Sequence, residues 1–143
     1  MGHKEGKIRV LALGLIKQEE KTFLTQGIDQ ITGETFYRAM GGGVHFGETS
    51  LQALKREFLE EIKAEITNIK YLGCLESLFV HQGQKGHEII QLYECDFLDQ
   101  GFYQIDQLNF HEKKRTKTAM WVNIQDCKQG KILVVPEEVI NYF

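Results

Sequence analysis

Proline occurs once in the 143 residues, tryptophan once and cysteine three times. With a single proline, Pro136, no low-complexity segment and no internal repeat, the chain offers no place for an interdomain linker. Residues 1–143 are therefore expected to form one compact domain, and 42% hydrophobic residues suffice for its core. Cys74, Cys95 and Cys127 are odd in number and far apart, without the close pairs of a zinc site or a disulfide framework. They read as ordinary thiols, buried or inert, in a reducing compartment.

Long apolar runs are missing too. The longest, Ile8 to Ile16, is far too short to cross a bilayer, and the N-terminal MGHKEGK has no apolar leader core. Gly2 lacks the Ser or Thr at position 6 that N-myristoylation favours; Gly6 stands there. Nor is there an excess of basic charge. A net charge of −3 argues against a surface built for nonspecific nucleic-acid binding, and it suits a small anionic substrate held through a metal. The expectation is a soluble, cytoplasmic protein.

What is present reads first as strands. Lys7 to Ile16 is nearly continuous in apolar residues and predicts a central strand covered on both faces. Thr22 to Ile28 predicts a return strand, and Thr35 to Met40 runs extended into a glycine loop. Ile66 to Val80 and Glu88 to Leu98 are two further β-like segments, with His81 to His87 as the polar loop between them. Gln100 to Thr118 is the least regular stretch. Ala119 to Ile124 predicts a closing strand with Trp121 packed, and Pro136 opens a final helix. Tyr71, Phe79 and Tyr93 read better as core than as a base-stacking platform. His81 and His87 do not recur at a helical ligand spacing.

The chemistry concentrates in Gly41 to Ala64, GGGVHFGETSLQALKREFLEEIKA. Thr49 and Gln52 have the spacing of a capping box, which starts a helix at Thr49 and leaves Glu48 just outside it. Successive helical residues advance by roughly 100°, so Glu57, Glu60 and Glu61 share an arc about 100° wide. Like charges at that spacing cost roughly 0.2–0.5 kcal/mol each unless something positive sits among them. Arg56 reaches Glu60 but cannot satisfy all three, and a hard cation such as Mg²⁺ takes oxygen ligands of this kind. Leu51, Leu54, Phe58 and Ile62 supply an apolar wall, with Ala53 expected on the acidic side as space for a ligand. The plain alternative for an E-x-x-E-E pattern is a solvated helix face.

Gly42, Glu48, Arg56, Glu57, Phe58, Glu60 and Glu61 resemble, position by position, the signature of the Nudix hydrolases, G-x5-E-x7-R-E-U-x-E-E-x-G-U. Lys63 departs from it at the second glycine, which puts the way the helix ends in question, and Ala64 stands where the pattern has a large apolar residue. Met40 replaces a frequent proline before the glycine run. The resemblance covers about a sixth of the chain.

The resemblance implies an α/β Nudix fold, a mixed sheet sandwiched between helices. It implies Glu57, Glu60 and Glu61 as Mg²⁺ ligands, with Mn²⁺ as a substitute and the Gly41 carbonyl as a further ligand. Glu48 then pairs with Arg56 as structural support. The proton acceptor is expected to be Glu57 first, or Glu112 from a loop beyond the helix, with Asp99 and Asp106 as substitutes. Arg38 is open between a phosphate contact and a surface cation, and His45 between a substrate contact and mere exposure. The expected activity is cleavage of a phosphoanhydride bond in a nucleoside diphosphate linked to another moiety, X. Two alternatives stand beside it: a Nudix-like module that binds a nucleotide without cleaving it, and hydrolysis of an RNA 5′-terminal pyrophosphate through the basic run Lys113, Lys114, Arg115 and Lys117. The base, X and the choice between monomer and homodimer are not legible.

Overall fold

The computed structural model describes residues 6–143, so Gly2 and the first five residues of the stretch weighed above for a leader and for acylation lie outside the described residues. The chain runs β1 (Ile8–Leu15), β2 (Lys17–Gln18), β3 (Lys21–Ile28), β4 (Thr35–Gly43), α1 (Ser50–Ile62), β5 (Ile66–His81) and β6 (Gln84–Phe97). A 3₁₀ turn (Gln100–Tyr103), β7 (Gln107–Glu112), β8 (Arg115–Asn123), α2 (Ile124–Lys128) and a second 3₁₀ segment (Glu137–Tyr142) complete it. The strand order is β5-β6-β1-β4-β3-β8-β7, with β2 on β3. Among the described strands only β1 and β6 pair in parallel, so the sheet is mixed; an isolated parallel bridge joins Tyr37 to Val134.

The apolar run of β1 is accounted for by cover on both faces, which begins at Leu11; Ile8 and Val10 remain exposed. On one face α1 lays Ala53, Leu54, Phe58 and Ile62 against Ala12, Met40, Tyr93 and Phe97. On the other, Leu11, Leu13, Leu24, Ile90 and Leu92 are covered by the C-terminal Val139, Ile140, Tyr142 and Phe143. Phe97 anchors the first core, stacked on Phe102 at 4.5 Å and edge-on to Phe23 at 5.2 Å. Trp121 packs there too, its Nε1 donating to the Phe102 carbonyl at 3.0 Å.

The architecture therefore matches the expected α/β class, while several local expectations need correction. The β5–β6 connection is a two-residue turn at Gln82 and Gly83, not a seven-residue loop. Both turn residues have positive φ, 52° and 79°, the conformation whose twist suits a tight hairpin, so the flanking residues are free to pair. The irregular stretch after Gln100 contains the β7–β8 hairpin, closed by Lys113 and Lys114. Neither residue is a turn former, and tertiary pairing with β3 supplies what local chemistry does not. The final helix is a 3₁₀ segment, with Pro136 just before it. Leu51 is exposed and Ala53 is fully buried, so α1 is rotated to bring its acidic side toward the sheet. Tyr93 is core, its hydroxyl 2.6 Å from Ser50 Oγ, whereas Tyr71 is half exposed. Of the three thiols, Cys95 and Cys127 are buried but Cys74 is exposed.

Candidate active site

Strand β4 changes partner midway: Thr35–Ala39 pairs with β3, and Met40–Gly43 pairs with β1. The change needs close backbone approach. A β-carbon on Gly41, whose φ is +144°, would stand 2.0 Å from the Ala12 carbonyl oxygen, so only glycine fits without a shift. Gly42 is open for a different reason. A β-carbon there would meet the Glu57 carboxyl carbon at 2.4 Å, so the Glu57 side chain occupies the space that the missing side chain leaves.

The helix that carries Glu57 starts as its sequence predicts. Thr49 is the N-cap, its side chain accepting from the Gln52 N–H while the Gln52 side chain accepts from the Thr49 N–H. It ends at Lys63, which adopts the left-handed conformation (φ 55°) that glycine usually takes. That costs about 1 kcal/mol for a side-chain-bearing residue. The Lys63 N–H still reaches Leu59 O at 3.1 Å and the Ala64 N–H reaches Phe58 O at 3.2 Å, while Ala64 is buried under the helix end. The departure at Lys63 changes the residue and keeps the cap.

Arg56 ties the loop to the helix. Its Nη2 and Nε donate to Glu48 Oε1 and Oε2 at 2.7 and 3.1 Å, and Nη2 also donates to the Gly43 carbonyl at 2.8 Å. Glu48 Oε1 accepts the His45 N–H at 2.8 Å. The hydrogen bonds from Arg56, then that from His45, hold the Glu48 carboxyl far down, at about 2. His45 itself points outward, two-thirds exposed.

The three glutamates do not behave alike. Arg56 Nη1 donates to Glu57 Oε1 at 2.9 Å and to Glu60 Oε2 at 3.2 Å. Glu60 is 58% exposed, whereas Glu57 is 13% exposed. Burial, then the hydrogen bond and charge of Glu57, push the Glu61 carboxyl up to about 8. Glu61 Oε1 is buried with no hydrogen-bond partner among the described residues. So Glu57 and Glu61 form a close inward pair and Glu60 lies at the solvent edge. Among the described residues no three His, Cys, Asp or Glu side chains converge into a ready-made ion site. The close pair with an orphaned oxygen nevertheless fits a hard divalent cation, which takes oxygen ligands and fills its other positions with water or phosphate.

Beyond the glutamates lies a basic zone that the sequence only partly shows. Arg38, 14% exposed, donates from Nη2 to Glu88 Oε1 at 3.0 Å, which excludes the surface-cation reading. Arg9 Nη1 lies 4.0 Å from Glu88 Oε2. Neither Arg9 nor Glu88 stands out in a motif. The available signal is the inward alternation Glu88, Ile90, Leu92 on β6, where a carboxylate sits at a core-facing position. Lys117 contacts Glu112 at 3.4 Å. Burial lowers the Lys117 pKa, opposed by the nearby Glu61 carboxylate. Glu112 is thus the last residue of β7 rather than part of a flexible loop, and Lys117 joins it electrostatically to the helix. Lys113 and Lys114 stay exposed on the hairpin turn, whereas Arg115, also exposed, and Lys117 line the adjoining cavity, so the basic run divides between them. Asp99 caps the first 3₁₀ turn, accepting from the Gly101 N–H at 2.8 Å, and Asp106 is exposed on the approach to β7.

Arg38, Glu88 and Lys117 line one side of a cavity of about 590 Å³, the size of a small-ligand site. Phe36, Phe79 and His81 contribute to its wall, with the His81 ring edge-on to Phe36 at 5.4 Å. His81 also lies 3.8 Å from Asp29.

Comparison with known proteins agrees with this architecture. A sequence profile of the NUDIX domain matches residues 7–143. A NUDIX hydrolase from Nitrosomonas europaea superposes with a TM-score of 0.64 at 18% identity, over 94% of this chain and 85% of the other. A MutT NUDIX hydrolase from Burkholderia pseudomallei gives 0.61 at 18% identity over 83% and 85%, and the E. coli ORF135 protein 0.56 at 21% over 93% and 84%. No curated protein sequence matches the chain. With a profile match over nearly the whole chain, the fold of those structures and the signature residues on one loop and helix, the chain belongs to the Nudix family.

Proposed function

We propose that the protein is a one-domain hydrolase that cleaves a phosphoanhydride bond in a nucleoside diphosphate linked to another moiety, with Mg²⁺, or Mn²⁺ in its place, as cofactor. Nudix hydrolases as a family cleave pyrophosphate bonds and generally use divalent metals. The observation that carries the reading is the Glu57–Glu61 pair set against Gly42, within electrostatic reach of cations that lead into the cavity.

Glu57 and Glu61, joined by Glu60 and the Gly41 carbonyl, would hold the ion. Bound there, it would neutralise phosphate oxygens and lower the pKa of a coordinated water. Arg56 fixes the Glu57 carboxylate from the far side, and Glu48 fixes Arg56. Arg38 would take a substrate phosphate at the cavity mouth, and the nucleoside or X would occupy the cavity. Glu57 is the first candidate for proton acceptor and Glu112, held by Lys117, the second.

The test is a panel of nucleoside triphosphates, nucleotide sugars and dinucleoside polyphosphates with Mg²⁺ or Mn²⁺ and product identification. Release of a nucleoside monophosphate is the expected result; no product from any member defeats the proposal. Tight nucleotide binding without turnover would instead favour a binding module. For RNA 5′-pyrophosphate hydrolysis the division of the basic run is unfavourable, because Lys117 is engaged with Glu112, Arg115 lines the cavity and only Lys113 and Lys114 of the run lie away from it.

A further inference from the structure

We infer that Arg9 is a second anion-binding residue of this site and that Glu88 is a positioning residue, holding Arg9 and Arg38 as a paired clamp for a diphosphate. The inference rests on the hydrolase reading for its location, though not for its test.

Glu88 is 2% exposed and is the one buried carboxylate among the described core residues. A buried carboxylate is expensive unless paired, and two guanidiniums approach it, Arg38 at 3.0 Å and Arg9 at 4.0 Å. The two guanidiniums share this one buried carboxylate, and Glu57 is a further negative charge acting on Arg9. Donors are left over. Arg38 Nε and Arg9 Nη1 are buried with no hydrogen-bond partner among the described residues. Buried donors without partners are rare in folded proteins and costly, more so when charged. An anion with several acceptor oxygens would satisfy both.

The location selects the anion. Arg9 Nη2 would lie 3.1 Å from a β-carbon placed on Gly43, the glycine whose carbonyl Arg56 holds, and Arg9 feels the Glu57 carboxylate. Arg38 and Glu88 line the cavity. The clamp therefore bridges the acidic helix and the cavity, where the diphosphate of a nucleoside diphosphate would pass. Glu88 accepts from Arg38 Nη2 and lies 4.0 Å from Arg9 Nη1, too far for a hydrogen bond, so Arg38 Nε and Arg9 Nη1 keep their donors for the ligand.

The two obvious roles of Glu88 predict opposite signs. If it acts only as a nearby negative charge, Glu88→Gln strengthens anion binding. If it positions the guanidiniums, Glu88→Gln weakens binding even though a repulsive charge is gone. The experiment is calorimetric titration of ADP and AMP into the intact protein with chelator present, so that neither metal nor turnover enters. Wild type is expected to bind ADP more tightly than AMP. Arg9→Met should lose at least tenfold for ADP with little change for AMP, at an unchanged thermal midpoint, because Arg38 still pairs Glu88. Glu88→Gln should weaken ADP as well. No ADP preference in wild type, wild-type affinity in Arg9→Met, or equal or tighter ADP binding by Glu88→Gln overturns the inference. If Glu88→Gln does not fold, Arg9→Met decides alone. Loss of ADP binding in the variants alongside a wild type that turns over no substrate would sink the hydrolase reading and leave the clamp standing.

Discussion

Glu57 fills the space above Gly42: a β-carbon at position 42 would lie 2.4 Å from the Glu57 carboxyl carbon and 2.5 Å from its Oε2. The glycine is therefore part of how the carboxylate is placed, although it carries no ligand atom. Gly42→Ala is expected to displace Glu57 while preserving the fold, because the φ of Gly42 is not in the left-handed region. A displacement near 1 Å at a reacting group costs roughly a hundredfold in rate. Turnover of the best panel substrate, with circular dichroism as the control for folding, checks this. A rate within twofold of wild type would show that the contact places nothing that matters.

The unequal surroundings of the three helix glutamates predict unequal losses. Glu57→Gln and Glu61→Gln should weaken Mn²⁺ binding, read by calorimetry or by the spin resonance of the free ion, by at least roughly tenfold, the scale of losing one group around a metal. Glu60→Gln should cost less, since Glu60 is 58% exposed and shares Arg56 with Glu57. The reverse order would mean that Glu60 turns inward when the ion binds.

Lys113 and Lys114 close an exposed hairpin and have no place in the cavity. The double variant Lys113→Gln and Lys114→Gln is expected to hydrolyse small nucleotides at the wild-type rate. If a 5′-terminal RNA pyrophosphate were the substrate, the same variant would flatten the salt dependence of RNA affinity by about 0.7 per lysine removed. A filter-binding salt titration distinguishes the two.

The Glu48–Arg56 brace makes a pH prediction. Folding lowers the Glu48 carboxyl from its usual range to about 2, so in the folded protein it is ionised where an unfolded chain is already taking up protons. The stability it contributes is fully present above the unfolded carboxyl value near 4.5 and is lost as pH falls toward 2. Glu48→Gln should therefore lower the thermal midpoint at pH 7 and lower it progressively less below pH 4. A deficit that persists unchanged at pH 2.5 would assign the loss to shape instead of charge.

Thiol reactivity should follow burial. Cys74 is exposed and is expected to react with a maleimide at neutral pH at once, while Cys95, which burial pushes up to about 12, stays unmodified until the protein unfolds. Because the folded state keeps a proton that the unfolded thiol releases near pH 9, stability should fall as pH rises from about 9 toward 12. Mass spectrometry after a timed alkylation reads the first, and an alkaline unfolding series reads the second.

The sequence by itself determined the helix and the grouping of its glutamates, because those depend on short-range geometry. A capping box four residues long fixes where α1 starts, and the turn of the helix fixes that Glu57, Glu60 and Glu61 are neighbours. The apolar run Lys7 to Ile16 likewise determined that β1 lies inside, and the Nudix signature carried the fold class with it. Which of the three carboxylates turns inward was decided only by the tertiary structure: Ala53 packs against the sheet, and its rotation takes Glu57 and Glu61 in while Glu60 stays out. The Arg9–Glu88–Arg38 cluster was equally invisible, since its members come from three strands separated by as many as 79 positions and meet through pairing and bending that no local pattern encodes. Residues within one or two helical turns are placed by bond geometry, whereas residues on different strands are placed by which strands pair and where β4 changes partner. That second set of choices belongs to the folded chain as a whole.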